Sequence, residues 1–293
     1  ASDVFAIDTQ VNQDPPKFDS GFVVDFELTR NVASTANWAV GSRLMQGKQL
    51  NTDNNNAATD NPANAFDFMD GWNGETSSTN SNVYSWMWKR ARGYFDIVTY
   101  VGNGTAGRTI THNLGVAPEM MWVKLRNTSN IDWAVYHKDY YQGRFYLNED
   151  SAYSATSGEW NSTLAGASSF TVGNGTATNL DTYPFIAYLF TTCAGVSKVG
   201  SFTQSGATNV DCGFTGDTPS FILLKRTDAA SNDWLVFDSA RGIVAGNDKS
   251  LNLNNSDAEV TNADMVDPYS GGFATTSNIA NGDYIFYAIA AIS

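Results

Sequence analysis

The chain of 293 residues carries 17 Lys and Arg against 30 Asp and Glu, a net charge of −13, with only 16% charged residues and 13% aromatic ones. So acidic a surface repels phosphate and excludes nucleic-acid binding as a main role, while a hydrophobic content of 42% can fill a core and excludes intrinsic disorder. No apolar run approaches the ~20 residues that a membrane helix needs, so no membrane insertion is expected.

Helical periodicity is nearly absent. Short runs rich in Val, Ile, Phe, Tyr and Thr predict strands at Phe22 to Leu28, Glu119 to Leu125, Phe185 to Phe190, Phe221 to Leu224 and Tyr284 to Ile289. Turn clusters punctuate them, such as Gly102-Asn103-Gly104, Gly173-Asn174-Gly175 and Asn281-Gly282-Asp283. The chain begins at Ala1 rather than Met, which is expected of a processed chain or a piece of a longer one.

Repetition is the strongest signal. A Trp-x-Val step recurs at Trp38, Trp133 and Trp234, at intervals of roughly a hundred residues. Apolar pairs two residues apart precede each one: Phe26 and Leu28, Met121 and Val123, Ile222 and Leu224. That spacing puts each pair on one face of a strand. A Leu-Asn pair follows each Trp, at Leu50-Asn51, Leu147-Asn148 and Leu253-Asn254, and each unit closes on an aromatic strand. These features predict an all-β fold of tandem antiparallel β-sandwich, jelly-roll-like repeats, with units at 1–93, 94–195 and 196–293. The first unit lacks a clear match for the opening strands of the others, unless its divergent N-terminal segment supplies one. Residues 51–81, rich in Asn and Asp but carrying Phe66, Phe68 and Trp72, predict a long ordered excursion that could pack on a neighbouring chain.

Few residues suggest chemistry. Asp132 and Asp233 precede the repeated Trp, but the first unit has Asn37 there. An amide cannot replace a general acid, whereas a short acceptor for an Asx-turn is kept. His112 and His137 lack Cys or acidic partners at ligand spacing, so local hydrogen bonding is expected of them and no metal site is expected. The acidic pairs Glu149-Asp150, Asp257 with Glu259, and Asp264 with Asp267 do not recur between units and read as solvated loop acids. Asp53, Asp60, Asp67 and Asp70 offer oxygens that calcium could use, without the EF-hand pattern. Cys193 and Cys212 read as small apolar side chains, or as one bridge if they lie on neighbouring strands. The Asn-x-Ser/Thr strings at Asn103, Asn127, Asn161, Asn174 and Asn254 read as turn chemistry. Neither a Gly-x-Ser-x-Gly elbow nor a phosphate loop occurs. No catalytic residue and no cofactor is expected.

Aromatic residues give the one candidate site. Trp72, Tyr140, Tyr141, Tyr153 and Trp160 do not recur and sit among polar loop residues. Such rings either stack on sugars beside amide and carboxylate groups or become buried between subunits.

Residues 100–124, Tyr-Val-Gly-Asn-Gly-Thr-Ala-Gly-Arg-Thr-Ile-Thr-His-Asn-Leu-Gly-Val-Ala-Pro-Glu-Met-Met-Trp-Val-Lys, and the run from Asp132 to His137 carry a resemblance. With Lys225 to Asp228 and Asp233 to Asp238, they resemble a repeated β module of marine and cyanobacterial phage virion proteins often labelled tail-fibre or tail-associated. The resemblance is clearest from Tyr94 to Ser293, and the first unit lacks the Gly-Val-Ala-Pro string. It implies a non-enzymatic virion structural protein at the virion surface or outside the cell. Such a protein would be a tail-fibre-like or adhesin segment contacting the host surface. Its implied partners are copies of itself (most simply a trimer), other virion proteins and a host surface glycan. A capsid decoration or filament subunit and a polysaccharide depolymerase are the alternatives.

Overall fold

The computed structural model describes residues 1–74, 79–155, 158–216 and 218–291. The first unit holds β1 (Phe5–Gln10), β2 (Phe18–Asp19), β3 (Phe26–Asn31), β4 (Ala39–Ser42), β5 (Lys48–Asn51), β6 (Thr59–Asp60), β7 (Gly71–Trp72) and β8 (Asn80–Trp88). The second holds β9 (Phe95–Val101), β10 (Arg108–Thr111), β11 (Met120–Leu125), β12 (Ala134–His137), β13 (Phe145–Tyr146), β14 (Ser169–Val172) and β15 (Pro184–Phe190). The third holds β16 (Ser197–Gln204), β17 (Thr208–Asp211), β18 (Phe221–Arg226), β19 (Trp234–Asp238) and β20 (Asp248–Asn252), then β21 (Val260–Ala263), β22 (Val266–Tyr269), β23 (Gly272–Thr275) and β24 (Gly282–Ile289).

One antiparallel sheet plan is built three times. The strand orders are β1-β8-β3-β4-β5-β6, β9-β15-β11-β12-β13 and β16-β24-β18-β19-β20-β21. The N-terminal segment therefore does supply the missing opening strand, β1, paired with β8 from Phe5 opposite Trp88. Register makes the equivalences explicit. Phe26 faces Ser42, Met120 faces His137 and Phe221 faces Asp238 across the central hairpin of each sheet. The first predicted strand is displaced: β3 starts at Phe26, while Phe22 and Val24 precede it and enter an outer cluster.

Alternation along the central strands explains the layering. Phe26 and Leu28, Met120 and Trp122, and Phe221 and Leu223 all enter one shared core. That core is closed by rings from different sheets: Phe26 lies 4.6 Å from Tyr188, Phe190 5.0 Å from Tyr287 and Phe5 5.9 Å from Phe221. The three sheets thus pack inner face to inner face around a common centre, unlike independent beads on a string. Each outer face is covered by its own small layer, β2-β7, β10-β14 or β17-β23-β22, over a separate apolar cluster. Because both faces are buried, β11 and β18 read as continuous apolar runs instead of alternating ones.

The excursion belongs to its own unit. Phe66 and Trp72 are buried with Phe18 and Met87 on the outer face of the first sheet, so these two rings pack within the chain. Residues 75–78 of the excursion lie outside the described residues. Cys193 and Cys212 are both free, so the bridge is not formed.

Candidate functional site

The repeated tryptophans occupy matching surroundings. Each backbone N–H donates to a side-chain oxygen: Trp38 to Asp53 at 2.9 Å, Trp133 to Asn148 at 2.9 Å and Trp234 to Asn254 at 2.8 Å. In the second and third units that Asn is oriented by the acid before the Trp. Asn148 Nδ2 donates to Asp132 at 2.9 Å, and Asn254 Nδ2 to Asp233 at 2.7 Å. These bonds join loops 16 and 21 residues apart in sequence, not the local Asx-turns expected for Asp132 and Asp233. The first unit exchanges the two residue types, with the amide at Asn37 and the carboxylate at Asp53. The Leu-Asn pairing of the first unit is corrected as well. Asn51 faces Ala39 as Tyr146 faces Ala134 and Asn252 faces Leu235, so Asp53 is the counterpart of Asn148 and Asn254.

The indole N–H groups tie the units into a ring. Trp38 Nε1 donates to the Asn252 carbonyl at 2.8 Å, Trp133 Nε1 to the Asn51 carbonyl at 2.8 Å and Trp234 Nε1 to the Tyr146 carbonyl at 3.0 Å. First unit reaches third, second reaches first, and third reaches second. Beside each indole sits a buried cation that the sequence reading passed over: Arg30, Lys124 or Lys225. Arg30 lies 5.0 Å from the Trp38 ring and Lys225 5.8 Å from that of Trp234. Arg30 Nη2 donates to the carbonyls of Ser256 (3.0 Å) and Asp257 (2.6 Å) in the third unit, and Lys124 Nζ to that of Asn55 (3.3 Å) in the first. Burial pulls both lysines down to about 8 and Arg30 to about 10. Their recurring place, eight or nine residues before each Trp, was the signal that could have found them.

Of the five candidate rings, the structure buries Trp72 and Trp160 at 2% and 1% exposure, which corrects the expectation that they are exposed. Trp160 meets Tyr136 edge-on within the outer cluster of the second unit, and Tyr141 packs partly buried on the same cluster. Tyr140 and Tyr153 are brought together at 4.8 Å. Tyr140 bonds the Thr227 hydroxyl at 2.9 Å, and the Tyr153 N–H donates to the Thr227 carbonyl at 2.9 Å. They seal a junction between the second and third units of one chain, the place the sequence reading assigned to a contact between subunits.

Trp72 leads to the best-formed cleft, about 410 Å³ on the outer side of the first sheet. Amides from Asn31, Asn37, Gln49, Asn61 and Asn80 line it, together with Thr29 and the rings of Phe18 and Trp72. It exists because this sheet breaks the apolar pattern of its siblings. Where the second unit has Met121, Val123 and Leu125, the first has Glu27, Thr29 and Asn31. Ser85 replaces Ala187 and accepts the Trp72 indole N–H at 2.9 Å. Gly41 stands where Tyr136 stands in the second unit, and Phe66 from the excursion fills the vacated space, 3.0 Å from where a Cβ at Gly41 would be.

Glu27 lies behind this cleft, fully buried, accepting a bond from the Thr29 hydroxyl. Burial raises its pKa to about 8 against the opposing Thr29 bond. The Gly41 backbone N–H opposes burial as well, more weakly than Thr29. His137 is also fully buried and pushed down to about 4 by burial. His112 Nδ1 accepts from the Leu114 N–H at 3.3 Å, so Nε2 carries the proton toward the Gly166 carbonyl at 3.1 Å. Among the described residues no three His, Cys, Asp or Glu side chains gather as metal ligands, and no helix is long and apolar enough to cross a membrane. Asp53 caps Trp38, Asp60 pairs with Lys48 and Asp67 bonds Gln46, so these acids are spread over the unit instead of meeting at one ion.

The chain belongs to the family described as a domain of unknown function, DUF7483, which matches residues 29–292. The matched stretch reaches into all three sheets. No curated protein and no solved structure matches the chain.

Proposed function

We propose that this chain is a non-enzymatic structural protein of a phage virion, a tail-fibre-like or surface adhesin segment displayed outside the cell, which contacts host surface glycan through the cleft of its first unit. The observation that carries the reading is the ring itself. Its repeated polar groups (Asp132, Asp233, Asn148, Asn254 and the three indole N–H groups) are spent on internal bonds that hold three sheets around one core. A protein exposed to harsh surroundings gains kinetic resistance from such buried closure. The cleft supports the adhesive half: a lining of amides with a single cation, Arg30, suits a neutral, hydroxyl-rich ligand. Homo-oligomerisation, most simply as a trimer, and contact with other virion proteins belong to the same proposal.

Two measurements test it. Mass spectrometry of purified virions should contain the chain, and its absence from particles removes the virion reading. On a glycan array the chain should bind neutral glycans, and Asn31→Leu, which copies Leu125 of the second unit, should abolish that signal while leaving the fold intact. Array silence of a correctly folded chain, with the chain present in particles, transfers the proposal to a purely structural decoration or filament subunit.

A further inference from the structure

The three junctions of the ring are equivalent in position but not in chemistry. Arg30 points to the Ser256 carbonyl, Lys124 to that of Asn55, and Lys225 lies in the field of Asp150. Among the described residues, the second junction is distinguished by a carboxamide from the neighbouring unit, Asn55, joining the lysine and its acid, whereas the carboxamides on Asp233, those of Asn252 and Asn254, come from the same unit. Lys124 is fully buried, with Nζ 2.7 Å from the Ile131 carbonyl and 3.3 Å from the Asn55 carbonyl. The Asn55 side-chain Nδ2 donates to Asp132 Oδ1 at 2.9 Å, and Asp132 is the charge that acts on Lys124. Lys124 thus bonds the Asn55 backbone while Asp132 holds the Asn55 side chain, so nucleophile, electrophile and acid meet at one residue.

We propose that Lys124 and Asn55 form an intramolecular isopeptide bond, with Asp132 as the catalytic acid, welding the second unit to the first. Lys124 Nζ passes one proton to the Asp132 carboxylate and attacks Asn55 Cγ as a neutral amine. The C–N bond to Nδ2 then breaks. Nδ2 takes up the second Nζ proton and the proton held by Asp132, and leaves as ammonium. The products are a Lys–Asn amide, one ammonium ion and the Asp132 carboxylate. Charge and atoms balance, and no cofactor or oxidant is needed. Burial helps twice: it lowers the cost of the neutral amine, and it keeps water from competing for the carbonyl. The other junctions show no such pair of groups from two units. A guanidinium is not a nucleophile, and Asp150 has no ammonia to release. The bond would close a loop from residue 55 to residue 124 and hold two sheets together even when their hydrogen bonds open, independently of any glycan role.

Intact mass spectrometry of the denatured chain tests this. The expected mass is lower than that of the expressed sequence by one ammonia, and trypsin should yield a branched species joining residues 49–89 to residues 109–126. Lys124→Arg, which copies Arg30 in its equivalent place, and Asp132→Asn should both return the full mass. A wild-type chain of full mass overturns the proposal. So does an ammonia loss that persists in Lys124→Arg, since it belongs to a succinimide at an Asn-Gly turn such as Asn103-Gly104. If the variants do not fold, the wild-type tryptic map decides alone.

Discussion

Replacing Glu27 by Gln probes the least comfortable group in the fold. Its carboxyl is fully buried and titrates near 8, against 4.5 for an ordinary Glu. A raised folded pKa stabilises the fold fully below 4.5, and this contribution is lost as pH rises through 8. At about 1.4 kcal/mol per pKa unit, the whole loss is about 4–5 kcal/mol. Other groups oppose it in separate windows. His137, lowered from 6.5 to about 4, adds stability as pH rises between those values and nothing above them. Lys124 and Lys225, lowered from 10.5 to about 8, add stability mainly from 8 upward. Between pH 6.5 and 8 Glu27 by itself should remove about 1.5 kcal/mol, which the two lysines partly offset, so its contribution is read as the difference between wild type and variant. Glu27→Gln keeps an acceptor for the Thr29 hydroxyl and carries no charge at any pH. Equilibrium urea unfolding at pH 6.5 and 8 should show the wild type losing that much stability relative to the variant. The variant should also be the more stable of the two at pH 8. A stability difference between wild type and variant that stays constant across this window refutes the assignment of a buried, mostly protonated Glu27.

Other outcomes follow from the ring. Since the sheets share one core, calorimetry should give a single transition with equal calorimetric and van't Hoff enthalpies, and residues 94–195 expressed alone should lack dispersed amide NMR signals. Asn37→Asp should set two carboxylates against each other beside Trp38 and cost about 1–3 kcal/mol in urea unfolding at neutral pH. Adding Asp53→Asn should recover most of it, because the pair then matches Asp132 with Asn148. Trp133→Phe should cost about 2–4 kcal/mol, since it removes the bond to the Asn51 carbonyl and leaves a cavity in the shared core. Gly102→Ala would put a Cβ 2.0 Å from the Leu180 carbonyl oxygen and should lower the thermal midpoint by several degrees.

Local pattern carried much of this protein. Period-two apolar pairs, Asn-Gly turns and the recurrence of Trp38, Trp133 and Trp234 announced an all-β chain written three times, because strand faces and turn types depend only on residues near one another. The candidate site was less legible. Trp72 and Trp160 looked exposed because their neighbours in sequence are polar. Their neighbours in space are Phe18, Phe66 and Tyr136, brought in from other strands. The cleft could not be seen either, since Glu27, Thr29, Asn31 and Ser85 acquire meaning only against their register partners in the sibling sheets. What tertiary structure alone decided was closure. Repetition fits separate beads as well as a ring, and choosing between them depends on whether the inner faces of three sheets find one another. That contact joins residues tens to hundreds of positions apart, and it turns Arg30, Lys124 and Lys225 from strand-end charges into buried cations held by the neighbouring unit's polar groups.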